Sequence, residues 1–115
     1  HGHSHGPSHQ QPSAGGSRTV PDPHAWQDLR HGVAYVRTIA AALAGVDPAQ
    51  ADAHRAAAEA YAARLIDLDA WVRAQTASVP EARRTVVTSH DAFGYFGAAY
   101  GIRFVAPQGV STEAE

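Results

Sequence analysis

The regular hydrophobic pattern of this chain starts late. Residues 1–18, HGHSHGPSHQQPSAGGSR, carry no apolar period and are dominated by His, Gly, Ser, Pro and Gln. Such a segment buries too little apolar surface to offset its ordering entropy, so the expectation is a His-rich mobile loop. After PDPHAWQD, Leu29, Val33, Val36, Ala40 and Leu43 recur at steps of four and three. That spacing is one face of a helix over about 26–44, and Gly45 suits its C-terminal stop.

The next pattern opens with Asp47-Pro48-Ala49-Gln50. Asp47 can cap, Pro48 fits the first helical position, and Gln50 completes a variant capping box. Nothing interrupts the run before Pro80, and Ala, Arg, Glu and Leu are strong helix formers. The prediction is one helix over 48–78, roughly 45 Å long at the standard rise. Tyr61, Leu65, Leu68 and Val72 make one stripe, while Ile66 and Trp71 lie off it. Two apolar faces on so long a helix predict contact with two separate bodies.

The period then shortens. Thr85-Val86-Val87-Thr88-Ser89 is a β-rich run, Ala92 to Tyr100 carries Phe93, Phe96 and Tyr100 at helical spacing, Gly101 ends it, and Arg103-Phe104-Val105-Ala106 reads as a second strand. Strand, helix, strand at this length is a parallel βαβ unit, so the fold class is α/β. Ligands bind at the carboxyl ends of such strands, and His90 follows the first strand directly.

Composition narrows the chemistry. The 115 residues include no cysteine and have a net charge of -2 with histidine neutral. Disulfides, thiolate catalysis and Cys-type zinc sites are thereby excluded, and the charge gives no case for nucleic acid. No apolar run approaches the roughly 20 residues that span a bilayer. Residue 1 is not Met, and Thr112-Glu113-Ala114-Glu115 reads as a capping box that opens a further helix. The expectation is an internal piece of a longer protein.

Metal binding must therefore use His, Asp or Glu. From spacing alone His24, in DPHAW, is either an exposed or capping histidine or a ligand. His90 is either a core histidine bonded to backbone or a ligand, and its place at the strand end favours the ligand. His1, His3, His5 and His9 resemble neither a barrel-strand HxH site, since no apolar strand surrounds HGHSH, nor an uninterrupted purification tag. They read as a weak, multivalent metal collector. His31 and His54 have no helical partner three or four residues on and are expected to be solvated. Asp22, Asp28 and Asp91 are candidates to orient an imidazole, Asp91 more readily as a helix cap.

The order of these pieces carries a resemblance. A His-rich loop, DPHAW, a helix, DPAQADAHRAAAEAYAARLIDLDAWV, VVTSHDAFGYFGAAYGI and GVSTEAE together resemble the solute-binding proteins of zinc and manganese ABC importers (ZnuA/TroA-like), from about Val20 to Glu115. The resemblance implies two α/β lobes joined by one long rigid helix, with metal held in the cleft. It divides the chain into a loop (1–18), the end of a first lobe (19–47), the linking helix (48–79) and the start of a second lobe (80–115). It makes His24 and His90 cleft ligands. It also implies an earlier first-lobe His and a late second-lobe carboxylate, neither within these residues.

An imidazole at position 90 favours Zn²⁺, whereas some manganese members carry Glu there, so Mn²⁺ is the alternative. The implied partners are the metal ion and a membrane ABC permease, the implied protein is an extracytoplasmic or periplasmic monomer, and lipid anchoring and a surface-adhesion role are further alternatives. A zinc enzyme is disfavoured, because no HExxH occurs and no carboxylate is placed to act on a zinc-bound water. The loop histidines would then feed the cleft by raising the local zinc concentration.

Overall fold

The computed structural model describes residues 20–107. His1, His3, His5, His9 and the Thr112–Glu115 capping box lie outside the described residues. The described chain holds three helices and a two-stranded sheet: α1 (Leu29–Val46), α2 (Ala51–Ala77), β1 (Thr85–Val87), α3 (Gly94–Tyr100) and β2 (Arg103–Val105). Short 3-10 turns at Ala25–Gln27, Pro48–Gln50 and Glu81–Arg83 precede α1, α2 and β1.

α1 begins three residues later than its apolar period suggests, because Ala25–Gln27 winds as a 3-10 turn and Asp28 takes the cap. The Asp28 carboxylate accepts from the Arg30 backbone N–H at 3.0 Å, which satisfies one of the helix's unpaired donors. Gly45 does not stop the helix. α1 continues to Val46, and Asp47 is its C-cap with φ -134 and ψ 67. The cause is Pro48, whose ring drives the preceding residue out of the α region. A lone glycine costs a helix only about 1 kcal/mol, too little to end it.

Asp47 does not cap the next helix either. Its carboxylate bonds His54 Nε2 at 2.9 Å, no side-chain cap bond forms at Gln50, and Pro48 opens the 3-10 turn at its first position. α1 and α2 pack as an antiparallel pair: Gly32 lies against Leu65, Arg37 pairs with Glu59, and Asp47 pairs with His54. The buried seam is built from Val33, Ala40 and Ala44 on α1 and Ala58 and Ala62 on α2. Small side chains set this contact line, so the larger residues flank it. Leu43 of the expected stripe is exposed, and so are Tyr61 and Leu68. The second face of α2 is not covered within the described residues, where Ile66 and Trp71 are 50% and 60% exposed.

The βαβ unit forms as expected. β1 and β2 are parallel, with Thr85 opposite Arg103, Val86 opposite Phe104 and Val87 opposite Val105. α3 starts at Gly94, later than expected, and its cap position is Phe93. Asp91 is exposed and caps nothing there. Gly101 closes α3 with φ 74, a left-handed conformation that glycine adopts without steric cost. Phe93 stacks on Phe104 at 5.0 Å, and Phe96 lies edge-on to Phe104 at 6.0 Å, binding α3 to β2.

Candidate metal centre

His24 sits at the entry to the 3-10 turn, and Asp22 holds it twice. One carboxylate oxygen accepts from the His24 backbone N–H at 2.9 Å and lies 2.7 Å from ring Nδ1. Pro23 between them has a fixed φ. A carboxylate on Nδ1 favours the tautomer with its proton there, which puts the ring lone pair on Nε2. The backbone N–H of His24, and then its ring, hold the Asp22 carboxyl below the usual carboxylate range. The His24 carbonyl accepts from Gln27 N–H at 3.1 Å, which closes the 3-10 turn.

His90 lies half-buried just beyond β1. The Thr88 hydroxyl donates to the His90 carbonyl at 2.9 Å, and the Ser89 hydroxyl stands 3.3 Å from His90 Nδ1. Thr88 N–H still bonds the Val105 carbonyl at 3.0 Å, so the segment leaves the sheet from a paired position.

The His24 and His90 segments approach each other at the start of α3. An Asp22 carboxylate oxygen is 3.9 Å from where a Cβ on Gly94 would stand. His31, expected to be solvated, serves the same junction. Its Nδ1 donates to the Ala25 carbonyl at 2.9 Å, and its ring meets Tyr95 of α3 edge-on at 5.6 Å. His54 bonds Asp47 at the other end of α1, so it too is paired rather than merely solvated. Asp28, a candidate to orient an imidazole, instead caps α1 and grips Arg30 Nη2 at 2.7 Å. Among the described residues no three His, Asp or Glu side chains gather into a metal-holding group. What is present is two imidazoles on adjoining segments, with His24 oriented by the Asp22 carboxylate.

A second polar cluster escaped the sequence reading. The Tyr100 hydroxyl accepts from Leu29 N–H at 3.0 Å and donates to Asp69 at 2.9 Å. Arg73 Nε bonds Asp69 at 3.0 Å, and Arg73 Nη1 bonds the Ala99 carbonyl at 2.9 Å. Burial, and after it the Asp69 carboxylate, push the Tyr100 phenol up. Asp69 and Arg73 stand four apart on a helix, a pair the spacing does show. Nothing in the spacing links them to Tyr100.

Comparison with known proteins bears on the family and the fold. The family model described as "Zinc-uptake complex component A periplasmic" matches residues 1–115. The manganese-binding lipoprotein MntA of Halalkalibacterium halodurans is 44% identical over 80 residues, which is 70% of this chain and 27% of that protein. The zinc-binding protein TroA of Treponema pallidum is 40% identical over 94 residues. Its solved structure superposes with a TM-score of 0.74 over 82% of this chain and 34% of its own. The laminin-binding protein Lmb of Streptococcus agalactiae, described as having adhesin and metal-transporting activity, superposes with a TM-score of 0.73 at 28% identity, over 84% of this chain and 36% of its own. The chain thus spans about a third of the length of the relatives it matches. With the family model covering its whole length, the parallel βαβ unit in place and the TroA fold superposed, this chain belongs to the family of substrate-binding components of metal ABC transporters.

Proposed function

We propose that the protein captures Zn²⁺ in a cleft between two lobes outside the cytoplasm and delivers it to an ABC permease. His24 and His90 contribute two of the ligands, α2 is the helix between the lobes, residues 20–47 end the first lobe and residues 80–107 start the second. The observation that carries this reading is the Asp22–His24 pair at 2.7 Å. A carboxylate on the far nitrogen of an imidazole is the usual companion of a metal-ligating histidine. Imidazole nitrogen at both positions suits Zn²⁺ better than Mn²⁺, and zinc is the metal in TroA's name.

The remaining ligands would come from parts of the relatives' length that these residues do not span. The relatives are named as binding proteins, and the role proposed here is carriage, with the ion as cargo rather than cofactor. Extracytoplasmic, lipid-anchored placement fits the lipoprotein name of MntA, and among the described residues no helix is long and apolar enough to cross a membrane. The second reading, manganese carriage, draws on the 44% identity to MntA.

Competition of the full-length protein against a zinc chelator tests the proposal. His24→Ala and His90→Ala should each weaken zinc binding by about a hundredfold or more, because each leaves the coordination shell one ligand short. Wild-type affinity in both variants would exclude these residues. Tighter retention of Mn²⁺ than of Zn²⁺ would favour the manganese reading.

A further inference from the structure

His24 and His90 are 66 residues apart in sequence and belong to different elements, so a site that uses both depends on how those elements are held. Three elements converge on the Tyr100 hydroxyl. Leu29, five residues beyond His24, opens α1. Its N–H is one of the first in the helix and has no intrahelical acceptor. Tyr100, at the end of α3 and ten residues beyond His90, accepts that N–H at 3.0 Å from 71 residues away. The same hydroxyl donates to Asp69 on α2 at 2.9 Å.

Arg73, one turn further along α2, completes the network. It bonds Asp69 and the Ala99 carbonyl, and its guanidinium carbon lies 5.2 Å from the centre of the Tyr100 ring. Tyr100 is only 5% exposed. A part-buried polar network whose members are paired around a buried hydroxyl favours one geometry. From Leu29 the order passes back through the Asp28 cap to the 3-10 turn, where Asp28 N–H bonds the Ala25 carbonyl at 3.2 Å, and so to His24.

We infer that Tyr100, with Asp69 and Arg73, is a positioning residue for metal capture: its hydroxyl locks the His24 segment, α2 and the βαβ unit that carries His90 into one register. The inference rests on the proposed role of His24 and His90. Its contribution is to affinity through placement, since none of the three side chains needs to touch the ion.

The test uses the full-length protein, with zinc affinity read by chelator competition and stability by thermal unfolding. Tyr100→Phe keeps the ring and removes both hydrogen bonds, and it should weaken zinc binding about tenfold, the equivalent of one lost hydrogen bond. Asp69→Ala should do the same. Asp69→Asn keeps an acceptor for the hydroxyl and should retain most of the affinity, and this pair decides the matter if Tyr100→Phe does not fold. Val33→Ala, in the α1–α2 seam, should lower stability and leave zinc affinity unchanged, which separates positioning from general destabilisation. Wild-type affinity in Tyr100→Phe or Asp69→Ala, alongside a large loss in His90→Ala, overturns the inference and leaves the metal site standing. An affinity loss in Val33→Ala equal to that in Tyr100→Phe also overturns it. Unchanged affinity in His90→Ala overturns the site, and the positioning role with it.

Discussion

Single residues in this chain are held both by neighbours that spacing shows and by distant partners that it does not. Asp22 and His24 are two apart, and their pairing was open to inference from DPH. Asp28 also bonds a residue two positions on, but that partner is Arg30 rather than an imidazole. Asp28 is 4% exposed, it caps α1, and both its oxygens bond Arg30 side-chain nitrogens, at 3.1 and 2.7 Å. That guanidinium, against the opposing effect of burial, holds the Asp28 carboxyl below the usual carboxylate range. A carboxyl with a depressed pKa favours folding when ionised. Its contribution is therefore complete above the unfolded value of about 3.9 and disappears as pH falls through the lower folded value. Asp28→Asn keeps a capping oxygen and loses the charge. Because Arg30 is well exposed, the loss at pH 7 should be only about 1 kcal/mol. Urea unfolding of the full-length protein and the variant should show that gap at pH 7 and a closing gap below about pH 4. A gap that stays constant down to pH 2 would mean that the pair contributes nothing through charge. His31 and His54 show why such roles stay hidden in sequence. Their partners are a backbone carbonyl six residues back, a ring on α3 and a carboxylate across a turn.

Elements were legible where periodicity was long, and their ends were legible only where backbone chemistry dominated. Gly101 ends α3 because the chain must turn left-handed there, whereas Gly45 yields to Pro48. The α1 stripe includes the seam residues Val33 and Ala40, but the α2 stripe of Tyr61, Leu65, Leu68 and Val72 misses Ala58 and Ala62, through which the seam runs. Hydrophobic pattern alone undervalues alanine, which lets two helix backbones approach closely. Gly97 depends on the same kind of close approach, between helix and sheet. A Cβ at this position would overlap the Ile102 carbonyl oxygen and stand 3.2 Å from the Phe104 ring. Alanine is ordinarily favoured over glycine in a helix by about 1 kcal/mol. Here the sign should reverse: Gly97→Ala must push α3 off β2, and should destabilise the protein by about 1–3 kcal/mol. Thermal unfolding of the full-length variant checks this, and an unchanged or higher melting temperature would show that the helix shifts freely.

At the scale of the whole molecule, the α/β class and the family were legible because VVTSHDAFGYFGAAYGI and DPHAW stand in the right order. The partners of the long helix were not legible, since Ile66 and Trp71 remain exposed among the described residues. The proposed division of labour between the opening histidines and the cleft is also a matter for the whole protein. His1, His3, His5 and His9 alternate with Gly, Ser and Pro. On the proposed reading, ions held by histidines set among such small residue types are bound weakly, because binding carries an ordering cost. His24, proposed as a cleft ligand, is already oriented by Asp22 and has no comparable cost. The two kinds of site should therefore separate in a titration of the full-length protein. Deleting residues 1–17 should remove the weak ions and leave one tightly held zinc with little change in its dissociation constant. His90→Ala should do the reverse, keeping the weak ions and lowering the tight affinity by about a hundredfold or more. Chelators of graded strength resolve the two classes, because the weak ions exchange to a mild chelator and the cleft ion does not. If the deletion costs as much tight affinity as His90→Ala, the loop is the primary site, and His24 and His90 do not form a separate one.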